Sequence, residues 1–443
     1  MASTYLTRNT GSSGTSGKKF TISFWMKCAD VSNSITMFGA SSNATGSPFM
    51  LIQRTSGGRL RFSDYTNDTT TRADKTTTRL LRDPSAFYNI VIAVDTDQST
   101  PSERNRIYIN GVEETSFNTD TNYSSGATTS LGQNNEMVLG RYEPYNSNYF
   151  DGIISHFHYV DGQQYAPTVF GETDATTGEW KIKTNVTATY GTNGFFILKD
   201  GNSVTDQSGN SNNFTVGGGT LTNTEDNPSN VFATFNPLIA QTGATFTKGN
   251  TVVYRTTSGN YRRIGCTLGA TSGKYYAEFL LGASQWGGVC LTNGGDIART
   301  EAGSAGYMGE YAGDYSVGIR NDGIVYSNGA NVSSAQWDQG SMSTSDRLCL
   351  ALDLDNKKLF LGKNGVWNVS SNPATNTGGI SLGGDSYTFC GATSNADCMI
   401  NAGNGYMGTT AISSEGTNAS GIGKFEYDVP AGYTALSTKG LNE

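Results

Sequence analysis

Phe20, Ile22, Phe24 and Met26 occupy every second position of one stretch. A period of two places all four on one face of a β-strand. Leu60 and Phe62 mark a second short strand. Ile90, Ile92 and Val94 mark a third, and the apolar Val91 and Ala93 between them predict a strand covered on both faces. Ile107, Tyr108 and Ile109 run into Asn110-Gly111, a pair that supplies the positive φ angles of a tight hairpin. Val138-Leu139-Gly140 continues the pattern, and Gly152, Ile153, Ile154, His156 and His158 close it. Strands at this spacing with turn residues between them predict an antiparallel sandwich.

The pattern thins after residue 170. Phe195 to Leu198 form one apolar run, and DQSGNSNNFT and Gly217-Gly218-Gly219 are turn chemistry. A free linker of this length would be unusual, which predicts a structured connector over 171–245 that packs on one or both neighbours. Alternation resumes near Phe246. Tyr275, Ala277 and Phe279 form one strand face, and Leu348, Leu350, Leu352 and Leu354 another. Leu359-Phe360-Leu361 leads into Asn364-Gly365, so LCLALDLDNKKLFLGKNGVW reads as a hairpin with its own Asn-Gly turn. The expected fold class is all-β: two antiparallel, jelly-roll-like β-sandwich domains in series, over 1–170 and 246–443, with helix limited to short turns such as one near Ala166 to Phe170.

Composition agrees with this pattern. A chain of 443 residues is too long for one core. Its 56 Gly and 15% charged residues suit many turns and a neutral polar surface, and its 23 Tyr, 20 Phe and 5 Trp exclude a disordered chain. The net charge of −8, with Lys and Arg only in scattered pairs, argues against nucleic-acid binding. No apolar run reaches the length of a membrane span, and the N-terminal stretch does not read as a signal peptide. Six cysteines without a CxxC pair, beside two His, predict core thiols in a chain folded in a reducing cytoplasm, with no disulfide required.

The order FTISFWMK, FYNIVIAVD, RIYINGVEE, MVLGR, FDGIISHFHYVDGQ resembles a concanavalin A-like sandwich of the laminin-G or pentraxin type, over about residues 1 to 170. FGETDATTGEW and YGTNGFFIL resemble a module of tail-fibre and other surface proteins of bacterial viruses, many of them marine. GKYYAEFLL and LCLALDLDNKKLFLGKNGVW resemble SPRY domains, and the closing GIGKFEYDVPAGYTALSTKGLNE resembles the C-terminal ending of phage SPRY-type proteins, together over about 246 to 443. These resemblances imply a lectin-like module followed by a SPRY-like module in a phage virion protein.

Candidate chemistry is sparse. Glycoside hydrolysis needs two carboxylates flanking the bond. Glu172, Asp174 and Glu179 come nearest, but they fall in a Gly/Thr-rich loop, so no catalytic residue is assigned. His156 and His158, two apart on a strand, face one side, and without a visible third ligand or nucleophile they read as satisfied imidazoles of a half-buried strand. Asp95 and Asp97 at one strand end and Asp151 at the start of another are the candidates for a calcium ion, the one cofactor entertained. Tyr142, Tyr145 and Tyr149, with Asn146 beside them, form a loop whose rings and amides suit sugar or protein contacts. Equally, the rings could pack onto the connector or a neighbouring subunit. Trp286, Trp337 and Trp367 read as core or loop packing.

Two function classes follow. One is a tail-fibre or receptor-binding subunit that binds a host surface glycan or protein. The other is a structural decoration or adaptor of capsid or tail. A glycan-degrading enzyme comes third. Expected partners are other virion proteins, the host ligand and further copies of the chain, with no nucleic acid and no membrane insertion. The expected location is the virion.

Overall fold

The structure is a computed structural model. It describes residues 4–41, 48–67, 69–133, 135–142, 146–199, 201, 203–240, 243–256, 261–292 and 306–443. The chain divides into two compact units, Met1–Asn223 with Asn227–Ser229, and Thr224–Asp226 with Asn230–Glu443. Both are mainly antiparallel β-structures, and helix among the described residues is confined to single turns such as Pro167–Val169 and Ser333–Gln336.

In the first unit the strands are β1 (Tyr5–Asn9), β2 (Lys19–Cys28), β3 (Ile35–Ser41), β4 (Phe49–Arg54), β5 (Arg59–Asn67), β6 (Thr70–Leu80), β7 (Tyr88–Asp95), β8 (Asn105–Ile109), β9 (Val112–Glu113), β10 (Phe117–Thr121), β11 (Glu136–Leu139), β12 (Gly152–Asp161), β13 (Gly171–Thr173), β14 (Trp180–Ile182), β15 (Phe195–Ile197) and β16 (Thr215–Gly218). Among the described residues, one sheet runs β10-β6-β5-β4-β3-β11-β1-β16 and the other β15-β12-β2-β7-β8-β9. Their facing sides share a core of Phe20, Ile22, Phe24 and Met26 from β2, Ile90, Ile92 and Val94 from β7, and Phe62, Met137 and Phe157 opposite or beside them. Each such side chain, fully buried, stabilises the unit by about 1.5–3 kcal/mol.

The alternation of β7 has the expected consequence. Val91 and Ala93 point away from this core and are buried by a second layer, in which Phe170, Tyr165, Val186, Ala188 and Tyr190 cover them together with Tyr108 and Val160. The covering chain is held where Trp180 donates its Nε1–H to Asn89 Oδ1 at 3.0 Å. Its ring lies on the β8–β9 hairpin. Asn110 and Gly111 there have φ of 50° and 76°. A Cβ on Gly111 would sit 2.5 Å from the Trp180 ring, so that position needs glycine for space as well as for its backbone angle.

Residues 171–245 are shared out between the units. β15 extends the six-stranded sheet beside β12, and β16 extends the eight-stranded sheet beside β1. The DQSGNSNNFT motif is a hub for this: Asp206 accepts from Phe196 N and Ser208 N, both at 2.8 Å, from Ser208 Oγ at 2.7 Å and from Asn212 N at 2.8 Å. The chain passes into the second unit between 223 and 230.

The second unit pairs two further sheets. The larger contains Ala244–Thr247, Val252–Arg255, Cys398–Asn401, Lys274–Leu281, Arg347–Asp353, Lys358–Lys363 and Val366–Trp367 in that order, and the smaller Arg262–Gly265, Tyr387–Thr393, Trp286–Leu291, Val317–Arg320, Val325–Ser327 and Ala330–Asn331. Ala277, Phe279, Leu348, Leu350, Leu352, Leu359 and Phe389 fill the space between them. One detail of the predicted hairpin differs. Asn364-Gly365 turns the chain from Lys358–Lys363 into Val366–Trp367, while Arg347–Asp353 joins Lys358–Lys363 through a longer turn ending at Lys357, whose φ is 52°. The C-terminal segment covers the outer face of the larger sheet, where Phe425, Val429, Tyr433 and Ala435 bury Tyr276, Cys349, Ala351 and Phe360. All six cysteines are buried free thiols.

Candidate functional site

The loop between β11 and β12 begins at Gly140, whose φ of 88° turns the chain out of its strand. Gly140 N–H donates to Met37 O at 3.0 Å, and Phe150 N–H donates to Gly140 O at 2.9 Å, closing the neck of the loop. Inside it Tyr142 N–H donates to Ser147 O at 2.8 Å. Asn146 and Asn148 adopt φ of 47° and 48°, the left-handed region that asparagine tolerates better than other side chains. Both are exposed. Tyr145 lies outside the described residues.

The two described tyrosines join different aromatic groups. Tyr142 is half-buried with its ring 6.2 Å from Phe49, which stacks on Tyr65 at 4.7 Å. The Tyr65 hydroxyl accepts from Arg61, whose guanidinium also grips Asp74 with contacts of 3.0 and 2.6 Å. That pairing raises the Arg61 pKa above its ordinary value. Tyr149 is half-buried with its ring 6.3 Å from Tyr5, and Arg141 lies 3.9 Å above the Tyr5 ring. The loop therefore presents partly covered rings at both ends and two exposed asparagines between them. Such a surface can stack on a flat apolar face and hydrogen-bond hydroxyls or amides.

Of the aspartates proposed for calcium, Asp97 N–H donates to Asp95 Oδ1 at 3.0 Å, but Asp151 is not brought to them. Asp95 lies opposite Lys19 at one end of β2, and Asp151 precedes Gly152, which lies opposite Cys28 at the other end. Nine residues of strand separate the two places by about 30 Å. Asp95 instead pairs with Lys19 at 3.1 Å and Asp97 with Lys18 at 3.0 Å. Among the described residues no group of three His, Cys, Asp or Glu is placed to hold a metal. These residues do not fit a calcium ion.

The acidic residues weighed for hydrolysis sit on the β13–β14 hairpin. Lys181 lies between Glu172 at 3.6 Å and Asp174 at 3.2 Å. Asp174 caps its turn by accepting from Thr176 N at 2.8 Å and Thr177 N at 3.0 Å. These bonds, the backbone ones foremost, hold its pKa down to about 2. A glycosidase acid needs the opposite shift.

The histidines occupy a β-bulge, since the β12–β2 register slips between Ser155 and His158 and His156 has φ of 49°. His156 Nδ1 is 2.7 Å from Ser155 Oγ, and His158 Nδ1 is 2.8 Å from the Tyr190 hydroxyl. Both rings pack on Phe196, His158 stacked at 3.9 Å and His156 tilted at 5.8 Å. Burial, with a smaller effect of His156, pushes the His158 pKa well below its ordinary value.

Sequence reasoning missed an aromatic group in the second unit. Trp286 stacks on Tyr307 at 4.5 Å, with Tyr261 and Tyr326 at its edges and Arg320 5.7 Å above it. A buried Arg263–Asp314 ion pair supports it, and Arg263 also donates to Tyr307 O at 2.6 Å. Trp286 alternates with Gly288 and Cys290 away from the inter-sheet core, and that alternation was the available signal. Trp286 and Trp337 are buried and Trp367 packs on Tyr276, as core and loop packing requires.

Residues 2–162 match the family model Laminin_G_3, described as the concanavalin A-like lectin/glucanases superfamily. The match lies within the first unit and agrees with its sandwich. No curated protein matches the chain. Among solved structures the chain is similar to domains LG4-5 of the mouse laminin alpha1 chain, at 12% identity over 98% of this chain and 85% of that one, with a TM-score of 0.30. It is also similar to the SPRY domain of human HERC1, at 19% identity over 38% of this chain and 96% of that one, with a TM-score of 0.29. A third similarity is to the heptameric SAP-like pentraxin of Limulus polyphemus, at 12% identity over 49% of this chain and 90% of that one, with a TM-score of 0.30. At these TM-scores none of the three carries an argument about function.

Proposed function

We propose that this chain is a non-catalytic binding protein on the surface of a bacteriophage particle, a tail-fibre or receptor-binding subunit that attaches to a host surface glycan or protein. The observation that carries the binding role is the loop from Gly140 to Phe150, with the half-buried rings of Tyr142 and Tyr149 beside the exposed Asn146 and Asn148. The lectin-related family match over 2–162 supports it. The phage setting rests on the resemblance of FGETDATTGEW, YGTNGFFIL and the C-terminal ending to phage surface modules. Virion location, homo-oligomerisation and contacts with other virion proteins belong to the same proposal.

A second reading, a structural decoration or adaptor, draws on the packing of these same rings against Phe49 and Tyr5. One set of variants separates the two. Tyr142→Ala, Tyr149→Ala and Asn146→Ala are compared for adsorption to host cells, incorporation into particles and melting temperature. Reduced adsorption with normal incorporation supports recognition, and reduced incorporation supports the structural reading. Losing half of a ring's buried area lowers stability by about 1–2 kcal/mol, so melting changes little in either case. Wild-type behaviour of all three variants removes the loop from both roles.

A further inference from the structure

The six-stranded sheet of the first unit carries its outer layer as irregular chain. Residues 184–190 form no helix or strand. Val186, Ala188 and Tyr190 pack inward on this layer, while Thr184, Asn185, Thr187 and Thr189 are exposed. Three hydrogen bonds tie the segment down, from Thr189 N to the Tyr165 hydroxyl at 3.2 Å, from Asp161 N to Tyr190 O at 2.8 Å, and between the Tyr190 hydroxyl and His158 Nδ1 at 2.8 Å. Beneath Tyr190 lies His158, 3% exposed, stacked on Phe196 and 5.1 Å from Phe170.

We propose that residues 184–190 are an acid-released strap: protonation of His158 detaches them and uncovers the apolar outer face formed by Val91, Ala93 and Val160. The reason is the set of groups around the imidazole. From β2 it faces Ser23 across the register, and from β15 it faces Phe196. From the covering chain it faces Tyr190 and Phe170, with Tyr165 packed behind Phe170. On its own strand the charge in range is His156, of the same sign once protonated. The nearby carboxylates are engaged elsewhere. Asp206 accepts from Phe196 N, Ser208 and Asn212 N, and Asp161 accepts from Thr15 N, Ser16 N and Asn193 N. An imidazolium at this position can still donate Nδ1–H to the Tyr190 hydroxyl, but it has no acid to pair with and its charge must reach water. Opening the sheet would break the β12 ladders to β2 and β15, whereas lifting the strap breaks three hydrogen bonds and exposes His158 directly.

The sign follows from proton binding. The open strap leaves His158 to titrate near its ordinary 6.5, while the closed strap holds it neutral. The closed form is fully favoured above that value and loses up to about tenfold in closed-to-open ratio per pH unit below it. This is opening of one segment, with the sandwich beneath intact.

The test is hydrogen exchange on the full chain at pH 7.5 and 5.0, corrected for intrinsic rates. Protection of the Thr189 and Asp161 amides, which hold the strap, is expected to fall about tenfold or more at the lower pH, while Tyr88–Asp95 stays protected. His158→Phe keeps the stack on Phe196 and is expected to abolish the fall, and His156→Asn to preserve it. Equal wild-type protection of Thr189 and Asp161 at both pH values overturns the proposal, as does an undiminished fall in His158→Phe. If that variant does not fold, imidazole resonances of the wild type decide, since the chain has two His. A His158 signal that protonates in step with loss of strap protection supports the proposal, and one that protonates with the strap still protected overturns it.

Discussion

Arg54 is fully buried, and among the described residues no carboxylate forms an ion pair with it. Its guanidinium donates to four main-chain carbonyls: Nε to Leu81 O at 2.8 Å, Nη2 to Val31 O at 2.7 Å, and Nη1 to Asn33 O at 3.2 Å and Asp30 O at 3.4 Å. It thereby fastens two irregular segments, 30–33 and 81, that no ladder holds. Arg54→Met keeps most of the volume and removes every donor. A hydrogen bond from a charged donor contributes about 1.5–3 kcal/mol. The two short bonds count in full and the two long ones for little, because the carbonyls of 30–33 can regain water. Leu81 is fully buried, so its carbonyl would stay dry and unpaired. The expected loss is about 3–5 kcal/mol, in the range for breaking a buried charged contact. Arg54→Lys has three donors on one nitrogen and cannot span the four carbonyls, so it should recover less than half. The assay is urea unfolding, with hydrogen exchange of peptides 29–35 and 80–83 to locate the change. A loss under about 1 kcal/mol for Arg54→Met, or full recovery by Arg54→Lys, would refute the carbonyl-cage account.

Three further outcomes are expected. Asn105 is fully buried with both amide atoms unpaired among the described residues, so Asn105→Leu should raise stability by about 1–2 kcal/mol in thermal unfolding; a loss instead would mean that ordered water serves the amide. Glu278 is buried beneath the C-terminal segment, accepting from Tyr427 N at 2.9 Å and Glu426 N at 3.1 Å, and burial raises its pKa above the usual 4.5. Its folded form takes up a proton before its unfolded form, so stability should rise as pH falls through the raised value towards 4.5. The melting difference between wild type and Glu278→Gln should shift in the wild type's favour between pH 7 and 5, and a pH-independent difference would contradict this. Burial also pushes the Cys28 and Cys349 thiols up to about 12, so a thiol reagent at pH 8 should label the native chain far more slowly than the urea-unfolded one, and equal rates would show that these strands open readily.

Much of the fold was legible because strand alternation is local. Ile22, Ile92 and Leu350 declare their face within five residues of sequence, and Asn110-Gly111 and Asn364-Gly365 declare their turns through backbone angles that few residues adopt. The pair Val91 and Ala93 even announced a second covering layer. Its identity was not legible, because the segment around Val186 and Tyr190 reads as plain Thr/Asn-rich loop until it is laid on the sheet. β6 shows the same limit. TTRADKTTTRL lacks an apolar face, and its place was decided by pairing with β5 and β10. Asp95, Asp97 and Asp151 looked equivalent as acidic strand ends, and only the register of β2 put them at opposite ends of one strand. Residue type and spacing fix what a segment can form locally. Which distant segment buries it, and which charges and rings then meet, depends on contacts between residues far apart in the chain, and the tertiary structure alone decides those.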